Sequence, residues 1–253
     1  MAGFVKSLAD AEKKLATTGR HRASVSKAHT LHGHRSPTDD VAFKVVMNGI
    51  KRMHGVRQKQ APAIIIETLK STVQAIDAST SAGARDKVIL LLGFTGGFRR
   101  SELTALDLED LRFSGDELTI NLKRSKTNQL GEIEEKVIFR SAEPKACPIA
   151  AIHDWFKVLG RKKGPLLVSL RKSGTLTERR LTDKHLNMIV QHHLVSHYYA
   201  LSLRASFVTV SKLNEAEDSE IINQTKYRTT GMIRRYTRLD DVRSHNAGKK
   251  LGL

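Results

Sequence analysis

The residues with chemistry to offer in this 253-residue chain are arginines, lysines and tyrosines gathered in a few short runs. These are Thr95-Gly96-Gly97-Phe98-Arg99-Arg100-Ser101-Glu102-Leu103, Arg124-Ser125-Lys126-Thr127-Asn128-Gln129, Tyr199-Ala200-Leu201-Ser202-Leu203-Arg204, Gln224-Thr225-Lys226-Tyr227-Arg228 and Arg234-Arg235-Tyr236-Thr237-Arg238. Guanidinium forks hold phosphate oxygens bidentately and favour the negative charge that grows there under in-line attack. A phenol, with an ordinary pKa of about 10, attacks phosphorus once a cationic surround or a base assists it. An ammonium group can protonate a departing oxygen. Taken singly, each residue also has a plainer reading: Arg99 and Arg100 as surface ion pairs with Glu102 and Glu109, Lys126 as a solvated turn residue, Tyr236 as a half-buried aromatic. The chain has no P-loop, no Cys-x-x-Cys and no paired His-Glu metal motif. Its single cysteine, Cys147, excludes a disulfide framework and a thiolate metal cluster, which fits a reducing compartment.

The charge balance points the same way. Forty-three Lys and Arg stand against 26 Asp and Glu, a formal net charge of +17. An excess this large attracts polyanions, nucleic acid being the commonest for a soluble protein. Charge per residue is about three times denser before residue 60 than after it. The longest apolar run, Val88 to Phe94, is far short of the roughly 20 residues that a membrane-spanning helix needs. No membrane association is expected.

Several elements must position the reactive runs. The opening stretch places Phe4, Val5, Leu8, Ala11 and Leu15 at helical spacing, and a helix after Ser36-Pro37-Thr38 is expected to bury Val41, Val45, Val46 and Ile50. A basic connector ends near residue 60, and Pro62 is expected to open the next helix. Asp86 to Phe94 reads as a buried helix. Strands are expected at Leu111–Phe113, Leu118–Leu122 and Lys136–Phe139, with the turn Ser114-Gly115-Asp116 joining the first two. Beyond Pro148 everything reads as helix. The fold class is therefore mainly α with a small antiparallel three-stranded sheet, divided into residues 1–60 and 61–253.

The runs, in this order, resemble the signature boxes of the tyrosine recombinases, the phage-integrase family. The resemblance extends from about residue 20 to the C-terminus, and four boxes in order carry it where no single box would. It implies a catalytic domain over 61–253 and a helical core-binding, DNA-clamp region over 1–60, shorter than is usual and lacking at least one helix. It implies Arg99 and Arg204 as the active-site arginines, Lys126 (with Lys123 second) as the hairpin lysine that protonates the 5′ oxygen, and Tyr236 as the nucleophile. Tyr227 stands where histidine or tryptophan is usual. The implied reaction is site-specific breaking and rejoining of double-stranded DNA through a 3′-phosphotyrosyl link, by a homotetramer, without metal or other cofactor. A cytoplasmic, nucleoid-associated protein would follow, with the segment after Tyr236 docking into a neighbouring protomer.

The match breaks at Leu201, where the family's His-x-x-Arg box begins with histidine, and at Lys226, where a glycine is usual. Loss of a general acid–base group costs about 10² to 10⁴ in rate. His197, four residues earlier, is a candidate substitute. Two other readings thus stay open: a catalytically impaired DNA-binding remnant or modulator, and a type IB topoisomerase.

Overall fold

The computed structural model describes residues 1–54, 61–122 and 134–237. Contacts divide the chain into two compact units, Met1–Gln60 and Ala61–Leu253. The described part of the first unit is three helices: α1 (Ala2–Asp10), α2 (Leu15–Leu31) and α3 (Val41–His54). Val5 and Ala9 of α1 pack on Phe43, Met47 and Ile50 of α3. The amphipathic N-terminal pattern is cut short after Asp10, because Glu12 takes a left-handed conformation at φ 52°. The face of α3 also differs from the expectation. Val41 and Val45 are exposed and Phe43 and Met47 are buried, since the bulkier side chains cover more of the facing helix.

The second unit begins with Ala61–Ile65 in non-helical backbone and α4 (Ile66–Ala75), so Pro62 precedes the helix rather than opening it. The central element is α5 (Ser81–Thr95), capped by Thr80, whose Oγ1 accepts from the Gly83 amide at 3.0 Å. It is buried on every side, which fits its lack of helical polarity. Then come α6 (Arg100–Ala105) and an antiparallel sheet, β1 (Leu111–Ser114), β2 (Glu117–Leu122) and β3 (Glu134–Phe139), in the order β1-β2-β3. All three expected strands are present. Pro148 starts α7 (Pro148–Leu159), and Gly160 in the left-handed region ends it.

A second sheet interrupts the helical run expected after Pro148. β4 (Val168–Leu170) pairs with β5 (Leu176–Arg180) around a turn with Gly174 at φ 82°. Strands this short carry too little alternation to be read from sequence, and the Ser173-Gly174 turn is their one local signal. The remaining helices are α8 (Asp183–Leu194), α9 (Ala200–Leu213), α10 (Asp218–Thr225) and α11 (Thr230–Tyr236). Most of the domain core lies between α5, α7, α8, α9 and the inner face of the three-stranded sheet, with Trp155 donating from Nε1 to the Leu166 carbonyl at 2.8 Å. A smaller cluster, Val208, Ile221, Tyr227 and Ile233, binds α9, α10 and α11 together. Among the described residues no helix is long and apolar enough to cross a membrane.

Among the described residues the backbone at Val195 is strained. Val195, directly after α8, has φ 66° and ψ 158°, a region that a β-branched residue tolerates poorly, and its side chain is mostly exposed. Val195→Gly should therefore stabilise the domain by about 1 kcal/mol, the relief of strain exceeding glycine's added chain entropy. A rise in Tm of about 2–4 °C in a thermal melt is the expected reading.

Candidate active site

The cleft is built where three chain turns meet. Gly97, at φ 51°, makes the turn out of α5, and a Cβ there would lie 3.1 Å from the Phe207 ring. That turn delivers Arg99 to the N-cap of α6, where Glu102 accepts the Arg99 amide at 2.8 Å and also binds its guanidinium. Arg204 comes from the first turns of α9. Tyr227 follows the left-handed Lys226 (φ 55°) at the end of α10, and Tyr236 ends α11. Thr209 Oγ1 of α9 donates to the Tyr236 carbonyl at 3.2 Å, which ties the last turn of α11 to the arginine's own helix.

Arg99, Arg204, Tyr227 and Tyr236 line one cleft of about 740 Å³, together with Phe98, Arg100, Asn187, Tyr199, Leu201, Arg228 and Met232. Four of the five sequence-predicted residues are thus brought together. The fifth, Lys126, lies outside the described residues, as do Lys123 and the segment after Thr237. His197 does not line the cleft; it packs on Tyr198. Leu201 does, and is 45 % exposed.

Arg204 is almost fully buried and its fork is fixed by protein acceptors. Nε donates to the Tyr227 hydroxyl at 3.1 Å, Nη2 to the Thr225 carbonyl at 2.6 Å and Nη1 to the Gly97 carbonyl, with Glu102 at 3.8 Å. Its guanidinium carbon also lies 4.3 Å from the centroid of the Tyr227 ring. A buried charge is tolerated only when its donors are met in this way. Arg99 is more open, with its side chain 19 % exposed. Two cations so held, one rigid and one able to reach outward, form a preorganised site for an anion. Burial pushes the Tyr227 phenol above its ordinary pKa, against the opposing charge of Arg204, so it is a neutral hydroxyl at physiological pH. Its ring stacks on Tyr236 with centroids 5.5 Å apart and planes 13° from parallel. That contact sets the plane of the Tyr236 ring within the cleft.

Three contributors were not found by reading the sequence. Glu102 anchors both arginines; its place three residues after an N-cap was the available signal. Asn187 lines the cleft and its Oδ1 accepts the Ala200 amide at 3.0 Å, fixing the start of α9. Lys136, read only as the first residue of a strand, is 1 % exposed and donates to the carbonyls of Gly96 (2.8 Å) and Gln224. Nothing in its flanking residues marks it as buried.

Burial lowers the Lys136 pKa from 10.5 to about 7, Glu102 opposing the shift and Arg204, Arg99 and Lys226 adding to it. The unfolded chain therefore binds more protons than the folded one between about pH 7 and 10.5, so this lysine's penalty is full below pH 7 and fades as pH rises. Wild type should gain stability over Lys136→Met by about 1 kcal/mol per pH unit across that window. Denaturant midpoints of both proteins at pH 7, 8 and 9 check the slope.

No protein-family model matches the chain. An integrase/recombinase XerD homologue of Selenomonas ruminantium is 29 % identical over 256 aligned positions, covering 98 % of this chain and 75 % of that protein. Tyrosine recombinase XerC of Chromohalobacter salexigens is 25 % identical over 237 positions, 88 % of this chain and 74 % of that one. Among solved structures, the XerH site-specific recombinase in a post-cleavage complex with its difH substrate superposes with a TM-score of 0.65 at 18 % identity, over 98 % of this chain and 70 % of that chain. A lambda integrase dimer on a core site gives 0.60 at 14 % identity, over 95 % and 79 %. The XerD-homologue and XerH alignments each span 98 % of the chain and so take in both units. Near-complete coverage, the same fold and a cleft that gathers the box residues make the chain similar, over nearly its whole length, to the tyrosine recombinases of the phage-integrase family.

Proposed function

We propose that the protein is a site-specific DNA recombinase that breaks and rejoins strands through a 3′-phosphotyrosyl intermediate. The observation that carries the reading is the convergence of Arg99, Arg204 and Tyr236, spread over 138 positions of sequence, on one cleft. Arg99 and Arg204 hold the non-bridging oxygens of the scissile phosphate. The Tyr236 oxygen attacks phosphorus in line, its proton passing to water, and the bond from phosphorus to the 5′ oxygen breaks. Lys126 supplies the proton that the departing oxygen takes up. Attack by another 5′ hydroxyl on the phosphotyrosine reverses these steps, so the energy of the broken linkage is kept for religation. Tyr227 supports Arg204 and contributes a hydroxyl to the phosphate.

Duplex DNA as partner rests on the net charge of +17 and on the DNA-bound structures of XerH and lambda integrase. Residues 1–60 serve as a DNA-contacting core-binding region, the working assembly is a homotetramer on two duplexes, and the protein acts at the nucleoid in the cytoplasm. A nicked suicide duplex, which loses its 5′ product and strands the enzyme on DNA, tests the reading. Wild type should accumulate a covalent adduct and Tyr236→Phe none. An adduct of equal yield from Tyr236→Phe would overturn the assignment of the nucleophile.

A second reading, a DNA-binding modulator that has lost catalysis, is favoured by one observation, the apolar Leu201 in the cleft. It predicts tight, steeply salt-dependent duplex binding with no adduct from wild type.

A further inference from the structure

Lys136 shares its task with Arg204. The lysine binds the carbonyls of Gly96 and Gln224, and the arginine binds those of the very next residues, Gly97 and Thr225. The same two segments, the turn out of α5 and the end of α10, are thus tied twice in parallel by cations. The first segment leads to Arg99 and the second to Tyr227. Gln224 completes the joint: its Nε2 donates to the Val137 carbonyl of β3 at 2.9 Å and to the Thr95 carbonyl at 3.3 Å. Phe98 closes it, with the lysine nitrogen 4.8 Å from the ring centroid.

A core lysine facing the apolar Ile120 across the sheet is an expensive choice if packing were the whole requirement, since a methionine would fill much the same volume. We propose that Lys136 is a positioning residue of strand cleavage: its ammonium joins the Gly96–Gly97 turn to the end of α10 and so sets the places of Arg99, Arg204 and Tyr227 around the scissile phosphate. This rests on the recombinase reading. A misplacement of about 1 Å at such a centre costs on the order of 100-fold in rate. The joint also responds to pH. The charged groups acting on Lys136 are Glu102 on α6, Arg99 at its N-cap, Arg204 on α9 and Lys226 after α10, and the amine loses its proton near pH 7 in the free protein. Neutral amine donors are weaker than ammonium donors.

The test is Lys136→Met in the full chain, with the suicide duplex and with a duplex whose scissile linkage carries a 5′-bridging sulfur, a leaving group that needs no proton. Duplex affinity should stay within about threefold of wild type. Adduct formation at pH 6.5 should fall by about 100-fold on both duplexes alike. The deficit should shrink as pH rises to 8.5, because wild type then loses its own ammonium. An unchanged rate, a deficit independent of pH, or rescue by the sulfur linkage would each overturn the proposal, the last by making Lys136 the proton donor. A second measurement needs no turnover. Amide exchange of Lys136→Met, compared with wild type at pH 6.5, should lose protection at Gly97, Arg99 and Lys226 together; loss in one segment alone, or in neither, overturns the joint. Absence of adduct from both wild type and Leu201→His, with the coordinated exchange intact, would instead sink the recombinase reading.

Discussion

Leu201→His should raise the rate of covalent adduct formation by about 10² to 10⁴, the usual worth of a positioned general acid–base group. Leu201 sits in the first turn of α9, three residues before Arg204, and its side chain is exposed in the cleft. An imidazole there would occupy space that is already open, so nothing in the core has to move. Its ring would lie on the helix that also carries the buried arginine and, through Thr209, holds the Tyr236 carbonyl. A single-turnover time course on the suicide duplex measures the gain. No gain, with folding intact, would mean that another group already supplies the proton transfers and that leucine at this position is no impairment. Thermal stability should change by less than about 0.5 kcal/mol, as is usual for an exposed position.

Arg204→Leu should have the largest effect of opposite sign. The guanidinium is the common tie of Gly97, Thr225 and Tyr227, and its removal leaves three acceptors without that donor and weakens the compensation of Glu102. Breaking a buried charge pair on one side costs about 3–5 kcal/mol. Tm should drop by about 6–20 °C at 2–4 °C per kcal/mol. Adduct formation at a temperature where the variant is folded should fall by a further 10² to 10³, the loss expected for one preorganised donor to a phosphate oxygen. Melting curves and suicide-duplex trapping on the same preparation separate the two losses. Equal trapping by the folded variant would remove Arg204 from the phosphate site and leave it a purely structural tie.

Much of this protein was legible from residue order. Runs with glycine before an arginine, polar caps, proline at helix starts and alternating apolar residues are local signals, read within one or two turns of chain. The mainly helical class and the three-stranded sheet came from such signals, whereas the arginine and tyrosine runs were singled out by residue type and by their resemblance to a family's signature boxes. Their convergence on one cleft came from neither, because Arg99, Arg204 and Tyr236 are joined only through the packing of α5, α9, α10 and α11. Tertiary contact also decided which face of α3 is buried, where the β4–β5 hairpin lies, and that Leu201 faces the cleft while His197 does not. Lys136 states the division most sharply. A lysine in a polar strand segment has no sequence mark of burial, and its role follows only from two carbonyls contributed by segments 40 and 88 residues away. Sequence determined which chemical groups exist and the local shape of the chain around each. Long-range packing determined their distances, their exposure and their charge state, since those depend on the dielectric and the partners that only the folded chain assembles.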